Sequence, residues 1–263
     1  MLALVTGGAG VVGRALCREL LSRGLSVRVL TLAGDTLANT LPAEVEVFYG
    51  DVTAARVDVV YHLAAILLST KKGSFDRINA CGTRNVVDAA VKAGVSRLLY
   101  VSSISVTYPV LTEYGQSKKK GEEIVRKAGK EQGLKWTIVR PTLVIGEGGG
   151  IEFKMYADYV KKFPIYFLPG GGKSLKKPVR SVDLVKGVAS AGLSERTLGK
   201  TYSLAGSREI SMAQMAKLIL KKAKKHHLMI PLPWWISRKL AVLKSWIGGR
   251  PVTAEQALAG FLY

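Results

Sequence analysis

A chain of 263 residues, 48% hydrophobic and 22% charged, is long enough for one large core with a small appendage and too short for two full domains. This balance excludes a disordered chain, and no stretch of ~18 uninterrupted apolar residues is present to cross a bilayer. Thirty-nine Lys and Arg against nineteen Asp and Glu give a formal net charge of +20, which favours anionic partners: phosphorylated substrates, an acidic membrane surface, nucleic acid or an acidic protein.

Strand-like and helix-like segments alternate from the first residues, the pattern of a parallel sheet covered by helices on both faces. Leu2 to Val5 reads as the first strand and runs directly into Thr6-Gly7-Gly8-Ala9-Gly10-Val11-Val12-Gly13. A strand beginning at residue 2 leaves no room for a signal peptide. Gly13 to Ser22 carries Ala15, Leu16 and Leu20 at helical spacing and stops at Gly24. Val27 to Leu30, Val45 to Tyr49 and Val59 to Leu63 read as the next three strands. Asp76 to Ala93 reads as a long helix closed by Gly94. Leu98 to Val101 is a fifth strand, Tyr114 to Ala128 a helix and Trp136 to Arg140 a sixth strand. The rhythm then changes, with glycines clustered at 146–150 and 170–172. The expected organisation is α/β, a Rossmann-type doubly wound parallel sheet over residues 1–147, with a small C-terminal substrate-side domain over 148–263. Lys200 to Leu204 is strand-like and is a candidate to rejoin the main sheet.

The glycine loop carries the first chemistry. Gly7, Gly10 and Gly13 allow a tight strand-to-helix turn, backbone approach to phosphate oxygens and close helix packing. The helix start, with Val11 and Val12, then offers unpaired N–H groups and a partial positive charge to a pyrophosphate. Dinucleotide sites that take NAD usually place an acid at the end of the second strand. Thr31 stands there instead, with Arg14 just past the third glycine, so the pattern favours NADP(H); Asp35 is near enough to keep NAD(H) open. Asp51 and Val52, after the third strand, suit the adenine end.

The second chemistry lies in the middle of the chain. Tyr114 and Lys118 stand four residues apart on one helix face. A free tyrosine has a pKa near ~10, and a neighbouring ammonium lowers it toward use as an acid or base. Ser103, closing the fifth strand, is placed to hold a substrate oxygen. This predicts Ser103, Tyr114 and Lys118 as the catalytic set, moving a proton beside a nicotinamide.

These motifs resemble the short-chain dehydrogenase/reductase superfamily, in its extended and atypical branches with NAD-dependent epimerase/dehydratase-like sequences. The resemblance rests on Thr6 to Gly13, Gly50-Asp51-Val52, His62-Leu63-Ala64-Ala65, Asn79 to Asn85, Val101-Ser102-Ser103, Tyr114 to Lys118, Arg140-Pro141-Thr142 and Pro178 to Asp183. It implies that Ala64 and Ala65 line the nicotinamide side of the cleft, that Asn79 orders the active-site helix, and that the protein is a homodimer. In the C-terminal half, Pro231-Leu232-Pro233-Trp234-Trp235 and Arg250 to Gln256 resemble relatives of an NAD(P)-binding accessory subunit of respiratory complex I. Some of those relatives bind nucleotide without catalysing. Departures concern the substrate: only ten residues separate Ser103 from Tyr114, and Thr142 follows Arg140-Pro141 where nucleotide-sugar epimerases tend to carry asparagine.

The resulting expectation is an NAD(P)-dependent oxidoreductase acting on a small secondary alcohol or carbonyl compound. Its alternatives are a nucleotide-sugar epimerase or dehydratase and a nucleotide-binding subunit or sensor at a membrane complex. Lysines 217 to 225 and the aromatic, basic stretch Trp234 to Ile247 suit peripheral contact with an anionic membrane. No nucleic-acid-binding module accompanies the charge. Cys17 and Cys81 have neither disulfide nor zinc spacing, and His226-His227 lack further ligands, so no metal and a reducing, cytoplasmic setting are expected.

Overall fold

The computed structural model describes residues 1–49, 57–69, 71–146 and 149–247. Up to residue 141 the elements run β1 (Leu2–Thr6), α1 (Val11–Ser22), β2 (Ser26–Thr31), β3 (Glu46–Tyr49), β4 (Val59–His62), α2 (Gly82–Lys92), β5 (Arg97–Val101), α3 (Glu113–Gln132) and β6 (Trp136–Pro141). There follow β7 (Val144–Ile145), α4 (Ile151–Lys162), β8 (Ile165–Pro169), β9 (Leu175–Lys176), β10 (Val179–Arg180), α5 (Ser181–Leu193) and β11 (Lys200–Leu204). The last elements are β12 (Ile210–Ser211), α6 (Met212–Lys222), β13 (Leu228–Leu232) and α7 (Trp234–Ile247). The expected boundary at 147/148 falls on Glu147 and Gly148, outside the described residues, as do Asp51, Val52 and the Arg250 to Gln256 motif.

The main sheet has seven strands in the order β11-β6-β5-β4-β1-β2-β3. Every pairing in it is parallel, and Lys200–Leu204 does rejoin it, along β6. Chain direction across the sheet reverses between β1 and β4, so the crevice at their carboxyl ends is where a ligand finds room. Strands buried on two faces need apolar side chains at successive positions. Ala3 and Val5 of β1 face one way, into a core with Leu16 and Leu20 of α1 and Val188 and Ala189 of α5. Leu4 faces the other way, with Val60, Leu98 and Tyr100, against Val87 and Ala90 of α2 and Val125 and Ala128 of α3. Each such buried large side chain contributes ~1.5–3 kcal/mol.

Local chemistry sets the helix ends that matter for the site. The Thr112 hydroxyl accepts from Gly115 N–H at the start of α3, and Gly133 in a left-handed conformation (φ 70°) closes it. The helix expected over 76–93 is not uniform. Asp76–Cys81 forms a π-helical turn ahead of α2, and such a turn re-aims side chains that a regular helix would stagger. A smaller core of Val160, Tyr166, Leu168, Ala216 and Leu220 joins α4 and α6 to the parallel β8–β13 pair. Trp234 anchors α7 on the following turn, where a Cβ at Gly170 would come within 2.8 Å of its ring. No helix among the described residues is long and apolar enough to cross a membrane.

Candidate active site

The glycine loop sits at the carboxyl end of β1, and sterics explain its composition. Gly7 has φ +73°, and a Cβ there would meet the Ala64 backbone nitrogen at 2.7 Å. Gly13 is packed on the Gly7 carbonyl and the Gly8 backbone, leaving no space for a side chain. Gly10 precedes α1 with extended backbone and supplies no side-chain cap, so the opening amides of α1 are left for an external acceptor. Gly10 and Val11 are exposed and Val12 half-buried. Ala64 and Ala65 follow β4 directly beside Gly7, forming the adjacent wall. A cradle that a Cβ would fill, ending in uncapped helix amides, fits a dinucleotide pyrophosphate.

At the end of β2, Asp35 is tied back to the strand. The carboxylate of Asp35 accepts from the Thr31 hydroxyl at 2.6 Å and from Leu37 N–H at 3.0 Å. An acid therefore stands beside Thr31, the residue in the position where NAD sites usually carry one. It is delivered by the turn after the strand and held there by capping the 3-10 turn Thr36–Thr40. Arg14 bonds the Ala9 carbonyl and the Thr40 hydroxyl, each at 3.0 Å, which ties its guanidinium to the loop's edge.

The Ser103 hydroxyl and the Tyr114 phenol meet beyond the carboxyl end of β5, and Lys118 follows one turn along α3. The Ser103 oxygen accepts from Ser105 N–H at 3.2 Å and from the Ser105 hydroxyl at 2.9 Å, so its own proton remains to be donated. Its hydroxyl is close enough to the Tyr114 phenol to favour ionisation of that ring. Burial outweighs this and pushes Tyr114 above its ordinary value; the Glu152 charge adds to the rise, screened because Glu152 stands exposed. Lys118 is itself 1% exposed, and burial pushes its ammonium down to about 7 against an upward pull from Glu122. Its Nζ lies 4.3 Å from the centre of the Tyr100 ring.

Asn79, buried in the π-helical turn, bridges two elements of the site. Its Nδ2 donates to the Ile66 carbonyl and to Ser117 Oγ, each at 3.0 Å, while its Oδ1 accepts from Ile66 N–H at 2.8 Å. Ser117 Oγ in turn donates to the Tyr114 carbonyl at 2.7 Å. The first turn of α3 is thereby locked to the loop after β4. A second chain of bonds lies below it. Thr83 Oγ1 donates to the Asn79 carbonyl at 2.6 Å and so accepts from His62 Nε2 at 3.0 Å; His62 Nδ1 then accepts from Thr6 Oγ1 at 2.6 Å. Burial, with the Lys118 charge, pushes His62 down to about 3, so it stays neutral. Thr6 also receives the Ala64 N–H, which joins the glycine-loop wall to the same network.

Sequence reasoning missed His62, Ser117, Glu122 and Glu152. Glu122 had a signal, standing one further turn along the Tyr114–Lys118 face. Glu152 had none, because only the fold brings the start of α4 to the cleft. Among the described residues no group of His, Cys, Asp and Glu side chains is arranged to hold a metal ion. Cys17 is buried with its thiol pushed up to about 12, so it is inert.

Comparison with known proteins adds to this geometry. The model of the NAD dependent epimerase/dehydratase family matches residues 3–168. A ceramide reductase of Caulobacter vibrioides is 34% identical over 152 residues, covering 55% of this chain and 46% of that protein. The NADH-ubiquinone oxidoreductase 40 kDa subunit of Neurospora crassa is 25% identical over 258 residues, covering 91% of this chain and 64% of that subunit. The chain therefore spans less than two-thirds of the length of either relative. The crystal structure of UDP-glucuronic acid 4-epimerase from Bacillus cereus, in complex with UDP-glucuronic acid and NAD, shares the fold with a TM-score of 0.74 at 20% identity. It covers 88% of this chain and 86% of its own.

Proposed function

Because the chain belongs to the NAD dependent epimerase/dehydratase family, we propose that it transfers hydride between a bound nicotinamide and a secondary alcohol or carbonyl carbon. The observation that carries this reading is the meeting of Ser103 and Tyr114 at the carboxyl end of β5, with Lys118 one turn along α3, on a helix start fixed by Asn79 and Ser117. The nicotinamide supplies or takes the hydride. Tyr114, held protonated by burial, donates its proton to the oxygen of a carbonyl as that carbon receives hydride. Ser103, with its own proton unspent, holds the same oxygen. Lys118 stabilises the phenolate left behind, and the Gly7–Gly13 cradle with Ala64 and Ala65 holds the dinucleotide. Tyr114→Phe is expected to lower turnover at least ~100-fold while nucleotide affinity stays nearly unchanged, measured by nicotinamide absorbance and fluorescence titration. Retained turnover would remove Tyr114 from the chemistry.

The phosphate preference of the cofactor turns on two groups at the end of β2. Arg14 supports NADP(H). Asp35, seated on Thr31, supports NAD(H) by offering the ribose hydroxyl an acceptor and a 2′-phosphate a repulsion, and it is the stronger of the two. NADH is expected to bind more tightly than NADPH.

Ceramide reductase as a relative supports an apolar carbonyl substrate. A nucleotide-sugar epimerase remains the second reading, favoured by Lys176 near Glu152 at the cleft. Against it, the Thr142 hydroxyl donates to the Lys177 carbonyl at 2.6 Å and is committed to backbone. NAD released in stoichiometric amount from denatured protein would favour the epimerase, or the nucleotide-binding subunit suggested by the Neurospora crassa relative. Protein that is purified empty and exchanges cofactor supports the reductase. The basic C-terminal part adds a peripheral contact with anionic membrane, through α7 and the outer face of β8–β13, where Trp235, Leu240, Leu243, Ile165, Phe167 and Leu228 are exposed.

A further inference from the structure

Tyr114, Lys118, Glu122 and Arg126 follow one another at four-residue spacing, so a single stripe of α3 carries a phenol, an ammonium, a carboxylate and a guanidinium. The middle two are buried, at 1% and 0% exposure. Glu122 is gripped from two sides. Arg140 of β6 donates from Nε to Oε1 at 2.7 Å and from Nη2 to Oε2 at 2.6 Å. Arg126 donates from Nη2 to Oε2 at 2.7 Å and from the same nitrogen to Thr201 of β11 at 3.2 Å. Burial opposes ionisation of Glu122, yet the Arg140 and Arg126 bonds hold its carboxyl below the usual range.

Among the described residues, the other groups facing Lys118 bring no second anion. From β5 it meets the Tyr100 ring, and from β4 His62 stacks on that ring at 5.5 Å, neutral between Thr6 and Thr83. On its own helix Tyr114 stands one turn before it and Glu122 one turn after, and the Glu122 carboxylate, buried with it, draws its proton affinity upward.

We propose that Glu122 is a positioning residue that keeps the Lys118 ammonium charged, by placing one buried carboxylate between it and the Arg126–Arg140 pair. The inference rests on the reading of Lys118 as the group that stabilises the Tyr114 phenolate, and it names what sets that lysine's charge. A merely structural Glu122 would pin α3 to β6 and leave the proton on Lys118 unaffected.

The test follows the titration of Lys118 by NMR in protein carrying isotope-labelled lysine, with the resonance assigned by its loss in Lys118→Arg. Glu122→Gln is expected to move the midpoint down by about one pH unit or more, a tenfold loss of proton affinity. Arg126→Gln, on the more exposed partner, is expected to move it up, because the carboxylate is then less neutralised. An unmoved midpoint in both variants overturns the proposal. If Glu122→Gln does not fold, Arg126→Gln decides alone: an upward movement supports the coupling and no movement overturns it. The two readings fail separately. A Lys118 shift in an enzyme whose Tyr114→Phe variant still turns over leaves the coupling standing and removes the catalytic reading. An unmoved Lys118 in an enzyme silenced by Tyr114→Phe does the reverse.

Discussion

The main sheet and the β8–β13 pair are both parallel and both apolar, yet only the first is covered on two faces. In β1, Leu4 is 1% and Val5 0% exposed, because α2 and α3 lie on one side and α1 and α5 on the other. In β8, Tyr166 and Leu168 are buried on α4 and α6, while Ile165 and Phe167 are 49% and 44% exposed. Parallel sheets normally carry helices on both faces. The difference separates two tasks. The doubly covered sheet holds the glycine loop and the Ser103–Tyr114 pair in fixed register, and the half-covered pair leaves an apolar face open.

The most damaging way to break the covered half is at Gly13. Alanine there gains up to ~1 kcal/mol of helix propensity. Its Cβ, however, overlaps the Gly7 carbonyl and the Gly8 backbone, neither of which is a flexible side chain that can swing away. The clash wins, at ~3 kcal/mol or more. Gly13→Ala is expected to lose nucleotide binding and several degrees of melting temperature, read by fluorescence titration and thermal unfolding. A variant that binds nucleotide normally would show that the α1 contact with the loop is not as tight as drawn.

How much of this was legible in the sequence follows from the same contrast. Strands buried on two faces write themselves as short apolar runs, so β1, β2, β5 and β6 were readable to within a residue or two. The glycine loop was readable because steric exclusion leaves glycine alone. The π-helical turn at Asp76–Cys81 was not, and the bonds Asn79 makes from within it to Ile66 and Ser117 join positions far apart in sequence. Asp35 reaching back to Thr31 and Glu152 standing beside Tyr114 were equally hidden, each depending on a turn or helix placed only by the fold. For β8 the alternation of buried and exposed positions leaves little trace in the sequence, because the exposed Ile165 and Phe167 are apolar as well.

A smaller effect, of opposite sign, comes from the buried Lys118. Lys118 ionises at about 7 in the folded chain against an ordinary 10.5, so between those values the unfolded chain binds more protons. Stability contributed at this site is therefore present above pH 10.5 and lost as pH falls toward 7. Lys118→Met removes the buried ammonium and sets a thioether against the Tyr100 ring, a contact that sulfur makes well. The variant is expected to be more stable than the parent by ~2 kcal/mol at neutral pH, with the gap closing as pH rises, and to have lost turnover. Equal stability at neutral pH would mean that Lys118 ionises normally in place.

The smallest effect on folding, and the sharpest on the second region, is expected at Phe167. Its ring contacts solvent on the outer face of β8, in register with Ile230 of β13, and Ile165 lies opposite Leu228. Lys162, its Nζ 5.4 Å from the centre of the Phe163 ring, and Lys225, bonded to the Lys161 carbonyl, precede the two strands, and β13 is followed by α7 with its exposed Trp235, Leu240 and Leu243. Apolar side chains edged by ammonium groups match the headgroup boundary of an anionic bilayer, where burial of rings and attraction to charge act together. Phe167→Asp removes the ring and adds repulsion while changing stability by no more than ~0.5 kcal/mol, since nothing in the core is disturbed. Co-sedimentation with anionic vesicles should fall steeply in this variant, and in the parent it should fade as salt is raised. Binding that survives both the substitution and high salt would place the contact elsewhere on the molecule, and leave the open face of β8–β13 to a partner that is not a membrane.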